Sequence, residues 1–149
     1  MDETVQERLE REQLELAPVK KRAVATLIDE LLLSFLLIII LWDSFQSAQT
    51  IEDMIMLTNA FVFEFMAMKI AYQTFFIVQY GATVGKIAMK IQVIELSTMT
   101  TPTIFAALNR AVFRIISEMI FYLGFIWGMM DPARQTWHDK TARTVVVDV

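Results

Sequence analysis

Two adjacent carboxylates, Asp29 and Glu30, stand at the head of the apolar run 31–42, in which Ser34 is the one polar residue. A charged side chain near the middle of a bilayer costs at least ~2.5 kcal/mol, so such carboxylates need a counter-ion, a watery cavity, a proton or a place near the interface. The chemistry this allows is the carriage of a cation or proton through a helix bundle. Arg22 lies two helical turns before Asp29, ~10.5 Å along the axis, and shares its face without touching it. The two read as a charge pair beside a polar cavity. Alternatively, Arg22 reaches lipid phosphates while Asp29 packs against a cation on a neighbouring helix for assembly. Glu30 points about 100° away and is expected nearer the interface.

Further charges lie in later apolar stretches. Arg110, Arg114 and Glu118 fall at successive i+4 steps and form one stripe on a helix. Glu64 and Lys69 are expected to complete a network with Asp29, Arg110 and Arg114, because opposite charges in apolar helices are cheaper together than apart. On the other reading Glu64 and Lys69, on different faces, satisfy different neighbours. Gly81-Ala-Thr83-Val-Gly85-Lys86 invites comparison with a phosphate loop, but it lacks the required spacing and the Ser or Thr after the lysine. A helix cap and a tight turn account for it better. His138 and Asp139 near Asp131 make a weak metal set, and a capped turn tying the tail to the membrane face is expected instead. Ser34, Ser44 and the lone His138 sit on different elements, so no nucleophile–base pair is formed. The reading is a non-enzyme with no cofactor and no metal.

These residues need elements to position them. The 149 residues are 56% hydrophobic with a mean hydropathy of +0.48, too apolar for an ordinary soluble domain of this size. The first sixteen residues carry six acids against Arg8 and Arg11, which accounts for the whole net charge of −4. The rest is balanced, and no basic surface argues for nucleic acid. With no cysteine there is no disulfide framework or thiolate site. The acidic start and the charges at 29 and 30 argue against a cleaved signal peptide.

Three spans are predicted, at about 23–42, 54–80 and 103–130. Lys20, Lys21 and Arg22 hold the N-terminus in the cytoplasm by the positive-inside rule, and the 43–53 loop, with Asp43, Glu52 and Asp53 and no Lys or Arg, belongs outside. In the third segment the apolar remainder after Glu118, residues 119–130, reaches only ~18 Å as a helix. That segment is either one tilted helix with arginines facing a protein interior, or an interfacial helix followed by a re-entrant piece broken near Gly124 or Gly128. Residues 90–96 and 144–149 read as strands that pair if both lie on the cytoplasmic face, which favours the broken or re-entrant form. The expected fold is thus an all-α membrane protein. It has two transmembrane helices, a third broken, tilted or re-entrant segment and a two-stranded β element, preceded by an acidic extension at 1–17 that is a surface helix or disordered.

Arg22, Asp29, the Gly81-x-Thr83-x-Gly85-Lys86 block, Arg110, Arg114 and the run Asp131-x-x-Arg134-Gln-Thr-Trp-His138-Asp139-Lys140-x-x-x-Thr144 together resemble the RDD family of bacterial membrane proteins, named for one arginine and two aspartates. The resemblance covers about 18–147. By it, Arg22 and Asp29 match the first two name-giving residues and Asp139 the third. It implies a multi-pass protein of the bacterial inner membrane. The roles it implies are transport of unidentified ligands, including sodium/proton antiport, for some members and regulation or immunity through a membrane protease for others. The acidic extension is outside the family pattern. Two functions are therefore expected. The first is a small transporter or cation/proton exchanger, in which Asp29 and Glu64 carry the ion; three segments enclose no pathway alone, so it would act as a homo-oligomer. The second is a non-enzymatic membrane module that docks another membrane protein. The ion or solute is not specified by the residues.

Overall fold

In the computed structural model, residues 4–120 and 123–149 are described. Thr4 and Glu7 form a reciprocal capping box that starts α1 (Val5–Arg11), and strand β1 (Glu15–Leu16) follows. Pro18, fixed in an extended conformation, is the N-cap of α2 (Val19–Ile40). At 22 residues α2 is ~33 Å long. Among the described residues it is the one helix that is by itself long and apolar enough to cross a membrane. The short α3 (Trp42–Ser47) leads to α4 (Ile51–Ala60), started by a Thr50–Asp53 capping box, and then to α5 (Val62–Tyr80). The predicted continuous span at 54–80 is two helices: α4 and α5 meet at Phe61 with a bend of 52°.

Gly81 ends α5 in the left-handed conformation (φ 67°), as its cap position requires. Thr83 caps α6 (Val84–Ala88), and β2 (Ile91–Glu95) follows. Thr103 caps α7 (Ile104–Met119), and α8 (Leu123–Met130) runs toward the turn at Asp131. The third apolar segment is thus in two helices, and its break precedes Gly124 and Gly128, both of which lie inside α8. Residues 121–122 lie outside the described residues. Thr136 and Asp139 form the capping box of α9 (Trp137–Ala142), which ends at Arg143 in the left-handed region and delivers β3 (Thr144–Asp148).

The predicted strand pair exists: β2 and β3 run antiparallel, with Val93 opposite Val146. The element is larger than the two strands expected. β1 adds on the other side of β3, Leu16 opposite Val147, giving the order β1-β3-β2. A two-residue strand carries no periodic signal, which is why 15–16 read as part of a tail. Alternation along β3 sends Val146 to one face and Val145 and Val147 to the other. Val146 packs with Ala17, Ala25, Ile77, Ile91, Val93 and Ala107 from the helical side. Val145 and Val147 pack with Ile94 and with Leu9 of α1. The acidic segment thus places a helix over the outer face of the sheet, where Arg8 also donates to the Leu96 carbonyl at 2.7 Å.

Helix polarity is inverted relative to a water-soluble bundle. On α7 the buried face is Ala107, Arg110, Ala111, Arg114 and Ser117, while Ile104, Phe105, Leu108, Val112, Ile116 and Met119 are exposed. On α2 Ala25, Asp29 and Leu33 are buried, and Leu27, Leu31, Phe35, Ile39 and Ile40 face out. Charge inward and large apolar side chains outward is the arrangement that hydrocarbon, not water, stabilises.

Candidate functional site

Three polar clusters line the inside of the helices. The first is built on Asp29, which is completely buried. Its Oδ1 accepts the Tyr72 hydroxyl at 2.7 Å and the Gly85 amide at 2.8 Å, and its Oδ2 accepts the Thr83 hydroxyl at 2.6 Å. Tyr72 in turn accepts the Val84 amide at 3.1 Å. The 81–86 block therefore serves as a receptor for Asp29. Thr83 starts the short helix, the helix start presents amides, and Gly85 allows α6 to lie against α2. A Cβ at Gly85 would collide with the carbonyl of Ala25 and come within 2.9 Å of Asp29 Oδ1. This corrects the expectation that Asp29 meets a cation. Among the described residues no Lys or Arg forms an ion pair with it, and its donors are a phenol, a hydroxyl and an amide.

The second cluster is centred on Asp139, also completely buried. Arg22 Nη2 donates to Asp139 Oδ2 at 2.6 Å, while Arg110 donates to Oδ1 and to the Thr144 hydroxyl. The Thr136 amide donates to Oδ2 at 3.1 Å, closing the α9 capping box. Burial opposes ionisation of Asp139, but Arg22 and Arg110 outweigh it and hold the carboxyl well below the usual carboxylate range. Arg22 also donates to the Arg134 carbonyl, and Arg134 donates to the carbonyls of Leu16 and Ala17 at 3.4 and 3.1 Å. Gln135 bonds the Thr144 carbonyl at 2.8 Å. One aspartate thus ties α2, α7 and α9 together beside the sheet. Arg22 neither reaches outward nor serves Asp29.

The third cluster is built on Glu30 and Glu118. Glu30, predicted nearer the interface, takes Lys69 at 3.0 Å and Arg114 at 3.3 Å. Lys69 bonds Glu118 at 2.5 Å, and Arg114 faces Glu118 at 3.5 Å. The Arg110–Arg114–Glu118 stripe is therefore shared between two clusters, one turn apart. Glu64 is not part of either: it is exposed on α5 and forms no ion pair among the described residues.

At the foot of α8, Asp131 pairs with Lys140 at 2.8 Å and accepts the amides of Ala133 and Gln135 at 3.1 and 3.2 Å. Burial works against the Asp131 carboxyl, but Lys140 and these amides hold it below its ordinary value. His138 is buried, with Nε2 3.0 Å from the Thr136 hydroxyl. Burial, opposed by Asp139 and reinforced by Arg110, Arg22 and Arg114, pushes its imidazole well below the usual range, so it stays neutral. Among the described residues no group of three His, Asp or Glu side chains converges as a metal site would require.

Between α2, α7, α8 and the start of α9 lies a cavity of about 280 Å³, with Arg22, Arg110, Arg114, His138 and Gln73 on its polar side and Val19, Ile126 and Met129 on its apolar side. Lys86 also lines it and is 7% exposed. Burial first, then Arg114, push the Lys86 ammonium down to about 7; Asp29 opposes, and Arg110 and Arg22 add to the fall. Tyr72 is the site residue that sequence reasoning missed, and the partners of Glu30 were not foreseen. Tyr72 lies three residues after Lys69, on the adjoining part of the α5 face, which is the one signal that could have found it.

Fold and site define a helical domain that turns its charges inward around three clusters and rests on a small sheet. A model of the RDD family matches residues 16–143. The chain belongs to the RDD family, a family of membrane proteins. Neither the curated proteins nor the solved structures compared with it gave a match.

Proposed function

We propose that this chain is a non-enzymatic membrane module whose buried charges clamp a sheet-bearing cap onto its helices, and that it docks another membrane protein instead of exchanging cations for protons. The observation that carries this reading is Asp29. An exchanging carboxylate must alternate between ion and proton and open to water in turn, whereas Asp29 is completely buried and occupied by three donors from α5 and α6. Buried Asp139 and half-buried Glu30 and Glu118 are closed by Arg or Lys at short range. On this reading the clusters hold the fold and the surface does the work.

The same reading places the chain in the bacterial inner membrane as a multi-pass protein with its N-terminus in the cytoplasm. Supporting it, residues 15–16, 91–95 and 144–148 share one sheet, so the chain leaves along α2 and returns along α5 to the same side. The stretch from β2 to β3 likewise ends where it began, which suits a re-entrant path for α7 and α8 better than a single crossing. Lys20 and Lys21 stand beside that sheet, the side where the positive-inside rule expects them. The apolar faces of α2 and α7 meet lipid, and a second copy of the chain is the alternative partner.

The test is reconstitution of the purified chain in vesicles under an imposed proton gradient, with sodium or potassium on either side. Neither cation should drive proton flux. Asp29→Asn should lower the thermal midpoint in detergent and reduce co-purification of a membrane partner. Cation-dependent proton flux in wild type, lost in Asp29→Asn, would falsify the docking reading and restore the exchanger.

A further inference from the structure

The cavity beside α2 presents four cationic side chains, Arg22, Lys86, Arg110 and Arg114, and among the described residues no carboxylate lines it. Three of these are accounted for. Arg22 and Arg110 share the single charge of Asp139, leaving that cluster one positive charge in excess, and Arg114 leans on Glu30 and Glu118. Lys86 is different. It is more than nine-tenths buried and aims into the cavity, and among the described residues its ammonium has neither a hydrogen-bond nor an ion-pair partner. Burying an unpaired charge costs several kcal/mol, and a methionine would fill the same space at no such cost. An ammonium, an excess guanidinium charge and a hole large enough for a guest are together what an anion site requires.

We propose that this cavity binds an oxyanion of the phosphate type, held by Lys86 and by the unfilled donor capacity of Arg22 and Arg110. At about 280 Å³ it falls just below the roughly 300–1,000 Å³ range of ligand pockets. That is more than a bare phosphate needs. Ile126 and Met129 form an apolar wall on which a hydrocarbon substituent of the anion would lie. The bound anion would return Lys86 to its charged form, drawing its titration back up from about 7. The same chemistry arrives from two sources: a soluble phosphate compound from the aqueous face, or the phosphodiester head group of an anionic lipid from the bilayer. The proposal is independent of the docking role, which needs no ligand in this cavity.

The experiment uses the full chain in neutral detergent, with sodium phosphate compared with sodium chloride at equal ionic strength. A parallel arm reconstitutes it in phosphatidylcholine nanodiscs with and without phosphatidylglycerol, and retained lipid is read by native mass spectrometry. Two variants accompany wild type. Lys86→Met removes the charge and keeps the volume. Gln73→Glu places a carboxylate in the cavity, where it competes for the ammonium. Inorganic phosphate raising the Tm of wild type by about 5 °C, but not of either variant, identifies a soluble ligand. Phosphatidylglycerol retained by wild type and lost from the variants, without a phosphate response, identifies a lipid head group. If Lys86→Met fails to fold, Gln73→Glu decides alone. The absence of both responses in wild type, or equal responses in wild type and Gln73→Glu, overturns the site.

Discussion

The Tyr72 hydroxyl donates to the Asp29 carboxylate at 2.7 Å and accepts the Val84 amide at 3.1 Å, so one phenol oxygen joins α5, α2 and α6. Asp29 is removed from water, and Tyr72 is partly so. The arrangement is a lock in which a buried acid is stabilised by dipoles from two other segments, and its consequences can be measured.

Shortening Asp29 should cost far more than neutralising it. Asp29→Asn keeps one oxygen for Tyr72 and Gly85 and turns its amide toward the Thr83 oxygen, which can accept. Asp29→Ala orphans all three donors, each worth about 1–3 kcal/mol when buried and unpaired. Thermal unfolding in detergent should rank wild type above Asn and Asn well above Ala. Equal losses for the two variants would mean that the carboxylate geometry does not matter.

Gly85→Ala should behave like Asp29→Ala, although it removes no polar group. The added Cβ meets the Ala25 carbonyl, which is backbone and cannot swing aside. Parting α6 from α2 breaks the amide bond to Asp29, for an expected loss of roughly 1–3 kcal/mol from overpacking before that bond is counted. Gly85→Ala and Asp29→Ala combined should be less than additive in a double-mutant cycle.

Asp139→Asn leaves Arg22 and Arg110 facing each other without a counter-charge, a change of about 3–5 kcal/mol for a broken buried pair. The pH profile carries a second signature. Because the folded carboxyl titrates well below its unfolded value of about 3.9, its contribution is fully present above that value. It is lost only as pH falls further, through the folded value. Wild type should therefore lose stability on the acid limb below pH ~4, and Asp139→Asn should lack that component of the slope.

Glu30→Gln and Glu64→Gln form a matched pair. Glu30 is the shared partner of Lys69 and Arg114, whereas Glu64 is exposed and free of ion pairs among the described residues. The first substitution should lower the unfolding midpoint, and the second should leave it within the spread of surface changes, about ±0.5 kcal/mol.

Lys86 sets a slope on the alkaline side. In the folded chain its ammonium gives up its proton at about 7, while the unfolded chain holds it until about 10.4. Between those values the unfolded state binds more protons, so stability should rise with pH across that window. Lys86→Met should flatten the rise, which pH-dependent unfolding in anion-poor buffer would detect.

What the sequence revealed follows from the range over which its signals act. The β2–β3 pair was legible because two β-branched runs had no other partner, and the capped turns at 81–86 and about Asp139 follow local rules. Arg22, Asp29 and Asp139 were legible as a set, but not who meets whom. Helical spacing says which residues share a face, yet Asp29 and Glu30 differ in fate because of what α5 and α6 bring to each side of α2. Neutral donors such as Tyr72 leave no charge pattern to read. The bend at Phe61 was hidden for a similar reason, since no proline or glycine marks it.

The middle strand of the sheet is the latest of the three in chain order. β1 and β2 pair with β3 and not with each other, so neither has a neighbouring strand until residues 144–148 have been made. Throughout synthesis of the apolar segments, Arg22 and Arg110 likewise wait for Asp139. The apolar helices are therefore complete before the clasp that fixes them exists, and a chain stalled before residue 139 would carry those helices still unlatched.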